Sequence, residues 1–127
     1  MKILVIDDSP AIQQKIIGYF KPLGHIVEYA SNGPDGIKKF EQFKPDMIFL
    51  DILMPLMGGE EILRRIMQLN PSAKVIIISA SESTSLIMQC LTNGGAVFVP
   101  KPFTLEQLEG AIKKAMQVGS RSNTIFQ

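Results

Sequence analysis

Tryptophan is absent from this sequence, and cysteine and histidine occur once each, as Cys90 and His25. A lone cysteine cannot close an internal disulfide, which accords with a reducing compartment. The lone histidine follows Gly24 at an expected helix-to-strand turn, a poor place for the base of a Ser-His-Asp triad. No G-x-G-x-x-G follows a strand, so a dinucleotide fingerprint is missing as well. Neither sign of charge dominates: 13 basic side chains stand against 12 acidic ones, and no bulk field draws the chain to nucleic acid or to an anionic membrane. No apolar stretch approaches the ~20 residues that span a bilayer. The four apolar residues Ile3-Leu4-Val5-Ile6 before Asp7 are too few for the apolar core of a signal peptide. These absences lead to the expectation of a cytoplasmic protein with no direct nucleic-acid contact and no membrane insertion.

What is present is enough apolar material, 46% of 127 residues, for one domain that folds without disulfides or a structural metal. Short apolar runs alternate with stretches of helical periodicity, the pattern of βαβ units. The strands are expected at Ile3 to Ile6, Ile26 to Ala30, Met47 to Leu50, Val75 to Ser79 and Ala96 to Val99. Continuous apolarity in the first, third and fourth suits strands covered on both faces. Helical stripes follow: Ile12, Ile16, Ile17 and Phe20; Ile37 and Phe40; Ile62, Leu63, Ile66 and Met67; Leu86, Ile87, Cys90 and Leu91; Leu108, Ile112, Ala115 and Met116. Ser9-Pro10 reads as an N-cap followed by proline, Thr104 with Gln107 as a capping box, and Gly24, Gly94 and Gly119 as helix stops. The domain is therefore expected over residues 1–118, with 119–127 a flexible tail or linker stub.

The chemistry collects at strand ends. Asp7-Asp8, Asp51, Ser79 and Lys101 each close an apolar run, and in a parallel α/β sheet the carboxyl ends of the strands share one edge, where ligands bind. Like-charged carboxylates at ~4 Å repel by roughly 4 kcal/mol at an effective dielectric of ~20, a cost that a bound cation removes. Oxygen ligands with no Cys or His cluster favour a hard ion, and a site sharing a substrate phosphate suits Mg²⁺. Taken alone, Asp7-Asp8 fit a helix cap beside Ser9 equally well. Ser79 alone reads as a strand-end serine, and Lys101 alone as a solvated lysine.

Four motifs occur in order: Ile6-Asp7-Asp8-Ser9; Leu50-Asp51-Ile52-Leu53-Met54-Pro55 with Gly58; Ser79-Ala80; and Phe98-Val99-Pro100-Lys101-Pro102-Phe103. Over residues 1 to about 118 the chain resembles the receiver domain of two-component response regulators, most closely the chemotaxis-type single-domain regulators. The resemblance implies a flavodoxin-like (βα)5 doubly wound fold, a five-stranded parallel sheet in the order 2-1-3-4-5. It implies that Asp51 is phosphorylated by a histidine kinase or phosphotransfer protein. Mg²⁺ would be held by Asp8, Asp51 and the main-chain carbonyl of Leu53, with Asp7 acting through water. Ser79 and Lys101 would contact the phosphoryl oxygens. A cis Lys101-Pro102 bond is also implied, as is a switch in which Ser79 moves and Phe98 turns, altering the surface of the fourth helix, fifth strand and fifth helix.

A flagellar motor switch is the downstream partner so implied. The alternatives are a receiver cut from a larger regulator and an interaction domain that works without phosphorylation. An enzyme is not expected, because Leu53 stands where a phosphohydrolase of the haloacid-dehalogenase type carries its second aspartate. Leu53 and Ser81 lie two residues beyond Asp51 and Ser79, where relatives control water access, and neither activates water. Slow self-dephosphorylation follows. His25 is expected on the surface, Cys90 in the packing of the fourth helix, and parts of Met54, Leu56 and Met57 exposed near the site.

Overall fold

The computed structural model describes residues 1–120. Five strands, β1 (Lys2–Ile6), β2 (Ile26–Ala30), β3 (Met47–Asp51), β4 (Val75–Ser79) and β5 (Val97–Pro100), alternate with five helices, α1 (Pro10–Phe20), α2 (Gly33–Phe43), α3 (Gly59–Leu69), α4 (Thr84–Thr92) and α5 (Leu105–Ser120). All strand pairs are parallel and the order is β2-β1-β3-β4-β5. This is the flavodoxin-like doubly wound sheet anticipated from the sequence.

Side chains alternate across the sheet, so each strand supplies two cores. Ile3, Val5, Met47, Phe49, Ile76, Ile78 and Val99 meet Ile16 and Phe20 of α1 and Leu108, Ala111 and Ala115 of α5. On the other face Leu4, Ile6, Ile48, Leu50, Val75 and Ile77 meet Phe40, Ile62, Leu63, Ile66 and Cys90 from α2, α3 and α4. Burial on both faces is why β1, β3 and β4 read as unbroken apolar runs.

The caps form as their sequences dictate. Ser9 Oγ accepts from the Ile12 N–H, and Thr104 and Gln107 bond reciprocally, Gln107 Oε1 accepting from Thr104 N at 2.8 Å and Thr104 Oγ1 from Gln107 N at 3.2 Å. Gly24 adopts φ 92° and ends a short 3-10 turn, Lys21–Leu23, that periodicity alone did not indicate.

Two expectations shift. β5 lies one residue later than Ala96 to Val99, because the Ser79–Pro100 register and the Lys101 N–H bond to the Ser79 carbonyl (2.9 Å) prolong the ladder toward Lys101. Gly119 does not stop α5, which continues through Ser120. A single glycine in a helix costs only about 1 kcal/mol and need not end it. Most of the expected tail, 121–127, lies outside the described residues. Beside the motif glycine Gly58, packing demands a glycine at Gly59. A Cβ on Gly58 would meet nothing within 4 Å, whereas one on Gly59 would sit 2.3 Å from the Ile52 Cα.

Candidate phosphoacceptor and metal site

Strand alternation explains how the pocket assembles. Asp7 continues the parity of Ile3 and Val5, and Asp51 that of Met47 and Phe49, so both carboxylates project toward the α1/α5 side at the end of adjacent strands. Lys101 follows Val97 and Val99 in the same parity. Its Nζ lies 2.7 Å from Asp7 Oδ2 and 3.2 Å from Asp51 Oδ2. Asp7 Oδ1 accepts from the Ser9 N–H at 2.9 Å, and Asp51 Oδ1 from the Leu53 N–H at 3.0 Å. Asp7 is fully buried and Asp51 only 4% exposed, whereas Asp8 faces solvent. Among the described residues the Asp8 carboxylate has no hydrogen bond or ion pair, which leaves it free to bind a ligand.

One carboxylate oxygen each from Asp7, Asp8 and Asp51 come within 4.8 Å of one another. Three carboxylates against one ammonium leave a formal charge of −2, and the donors are all oxygen. The acidic pocket therefore fits a hard divalent cation. The helix-cap reading of Asp7-Asp8 holds only in small part: Ser9 caps α1, and Asp7 bonds the Ser9 N–H.

Burial raises the Asp51 pKa above its ordinary value, and the charge of Asp7 pushes the same way, together outweighing the Leu53 N–H and Lys101. For Lys101 burial alone would lower the pKa, but the hydrogen bond to Asp7 and the charges of Asp51 and Asp7 raise it, so the ammonium stays charged. A carboxyl that holds its proton more tightly in the folded chain makes that chain less stable as pH rises from 3.8, its ordinary value, through the raised one. Metal-free Asp51→Asn is accordingly expected to be more stable than the parent at pH 7, with the advantage vanishing below pH 3.8. Urea midpoints in EDTA across this range test it, and a variant less stable at pH 7 contradicts it.

Ser79 makes no hydrogen bond to Asp7, Asp51 or Lys101, and Phe98 lies on the other face of the sheet. Ser79 has the opposite parity from Ile76 and Ile78. It is fully buried, and its Oγ accepts from the Ser81 N–H at 3.0 Å. Phe98 is half-buried against the α2/α3/α4 core. The Leu53 side chain is half-exposed beside the pocket. The Lys101-Pro102 bond is cis, as the resemblance implies. Beyond Asp51, Leu56 is 92% exposed at φ 70°, a left-handed conformation uncommon for leucine, while Met54 and Met57 pack against the core.

His25 is remote from the pocket, its Nδ1 2.7 Å from the Met1 amine. Cys90 is buried, and burial, with Glu60 nearby, pushes its thiol pKa up, so it is a packing residue of low reactivity.

The residue missed in the sequence is Gln13. It is buried, and its Nε2 donates to the Asp7 carbonyl at 2.6 Å and to Ser31 Oγ at 3.0 Å. The signal was a polar residue three before Ile16 and seven before Phe20, on the buried stripe of α1.

Comparison with known proteins agrees with this geometry. The family model "Response regulator receiver domain" matches residues 3–113. The chain is 36% identical over 116 residues to the chemotaxis protein CheY of Listeria monocytogenes, covering 91% of this chain and 98% of that protein. It is 31% identical to the transcriptional regulatory protein TrcR of Mycobacterium tuberculosis, covering 94% of this chain and 47% of TrcR. Among solved structures, the CheX-CheY-BeF3-Mg²⁺ complex of Borrelia burgdorferi contains a chain 28% identical at a TM-score of 0.85, with coverage of 91% and 89%. Strand order, acidic strand ends and a family match over nearly the whole described chain converge: the protein belongs to the response regulator receiver domain family.

Proposed function

We propose that this receiver is a phosphoacceptor in a two-component phosphorelay and that Asp51 is its acceptor. The observation that carries the reading is the Asp51 carboxylate at a strand end, 3.2 Å from the Lys101 ammonium and grouped with the oxygens of Asp7 and Asp8. A carboxylate is a modest nucleophile and relies on placement and charge neutralisation. An Asp51 oxygen attacks the phosphorus of a phosphohistidine on a histidine kinase or phosphotransfer protein. The O–P bond forms as the N–P bond breaks, and the imidazole leaves with the electron pair. Mg²⁺ held by Asp8, Asp51 and the Leu53 carbonyl, with Asp7 acting through water, would supply positive charge to offset the repulsion between carboxylate and phosphoryl oxygens. Lys101 exchanges its carboxylate contacts for a phosphoryl oxygen, and Ser79 releases the Ser81 N–H to donate to another.

The acyl phosphate carries about 1.5 to 2 negative charges where the carboxylate carried one, and the shift of Ser79 opens space for Phe98 to turn, remodelling the α4–β5–α5 surface that a protein target reads. Similarity to CheY over its full length favours a chemotaxis output such as a flagellar motor switch. The second reading, a receiver acting within a longer transcriptional regulator, is favoured by the match to TrcR over 47% of that protein.

The test is intact mass after incubation with acetyl phosphate and Mg²⁺, with EDTA and Asp51→Asn as controls. A magnesium-dependent gain of one phosphoryl group, lost in the variant, supports the reading; no gain from either acetyl phosphate or a phosphorylated kinase overturns it. The adduct is expected to outlast a seconds timescale. Leu53 has no acid or base, and the Ser81 hydroxyl oxygen already accepts from the Ser83 N–H at 3.1 Å. Decay within seconds, with no phosphatase present, contradicts this.

A further inference from the structure

We propose that Gln13 is a positioning residue for the acidic pocket, fixing the main chain at Asp7 so that the Asp8 carboxylate meets the cation and Asp7 reaches it through water. The inference rests on the metal-dependent reading above. β1 ends at Ile6 and its outer partner β2 at Ala30, so Asp7 lies one step beyond the regular strand pair. Its N–H still donates to the Ala30 carbonyl at 3.1 Å, but its own carbonyl has passed the end of the ladder. The Gln13 side-chain amide takes over there, donating to that carbonyl at 2.6 Å, and its second bond, to Ser31 Oγ, anchors the amide to the β2–α2 connection.

Gln13 is itself held by α1, its backbone N–H donating to the Ser9 carbonyl at 3.0 Å. The peptide joining Asp7 to Asp8 is thus clamped between α1 and the β2–α2 connection. Without the amide, a buried carbonyl would lack a partner, and the chain would relieve this by turning toward water. Any such turn carries the Asp8 carboxylate with it. A polar side chain on a buried helix face is otherwise unfavourable.

Calorimetric titration with Mg²⁺ tests the proposal on the parent, Gln13→Met, Ser31→Ala and Ile16→Val, each also melted in EDTA. Gln13→Met keeps the shape and removes the donor. Supporting partners of metal ligands typically contribute about ten- to hundred-fold in affinity, and a Mg²⁺ affinity at least about ten-fold weaker is expected for this variant. Ser31→Ala, which keeps the bond to Asp7, is expected to lose less. Ile16→Val, a core truncation on the same helix, is expected to melt earlier and bind Mg²⁺ like the parent. Parent-like affinity in Gln13→Met overturns the positioning role, as does an equal loss in Ile16→Val, which would trace the effect to stability. A parent that takes up no Mg²⁺ overturns the metal-dependent reading itself, so the two failures are distinguishable.

Discussion

Gly59→Ala is expected to destabilise the protein by about 4 kcal/mol, at the upper end for a single substitution and a large part of the ~5–15 kcal/mol that holds a domain together. The added Cβ would lie 2.3 Å from the Ile52 Cα and 2.7 Å from its Cγ2. Backbone cannot swing aside as a flexible side chain can, so α3 must retreat or β3 must bend where it presents Asp51. Gly58→Ala is the matched control. Its Cβ meets nothing within 4 Å, and exchange at an N-cap costs no more than about 1 kcal/mol. Urea denaturation of the pair checks this, and equal midpoints contradict the tight approach.

Lys101→Met is expected to cost about 3 kcal/mol in metal-free protein at pH 7, the scale for removing one partner of a buried ion pair. The fully buried Asp7 loses its contact at 2.7 Å, and three carboxylates remain with no internal cation. Two further results separate this from lost packing. Saturating Mg²⁺ should recover much of the loss, since a ligand that binds only the folded chain stabilises it. The deficit should also shrink as the pH falls through the carboxylate range and the repulsion disappears. Melting curves with and without Mg²⁺ from pH 4 to 7.5 give both; a deficit indifferent to metal and pH would assign Lys101 to packing alone.

The fold was legible because its signal is periodic and redundant. Val75 to Ser79 reads as a buried strand from five adjacent residues, and Thr104 with Gln107 announces a cap that forms in both directions. Asp7, Asp8, Asp51 and Lys101, each ambiguous alone, were legible together: each closes an apolar run at the edge where a parallel sheet gathers its strand ends, and strand parity aims Asp7, Asp51 and Lys101 at one another. Ser79 shows the limit, since its place in the sequence does not reveal that its hydroxyl bonds the Ser81 N–H. Gln13 and Gly59 were missed because their importance lies in single close approaches, to a carbonyl at 2.6 Å and to a Cα, between segments far apart in sequence. The boundaries of β5 and α5 moved because ladder and helix hydrogen bonds run past the last strongly apolar residue.

On the proposed reading the phosphoryl group resides on the carboxylate of Asp51, as an acyl phosphate. Borohydride reduction of the phosphorylated protein, followed by peptide mass analysis, tests it most directly, because reduction converts an acyl phosphate to an alcohol and leaves a free carboxylate untouched. Homoserine is expected in place of Asp51, formed only after incubation with phosphodonor and Mg²⁺. Homoserine at Asp7 or Asp8, or a phosphate that survives reduction as an ester on Ser79, would contradict it.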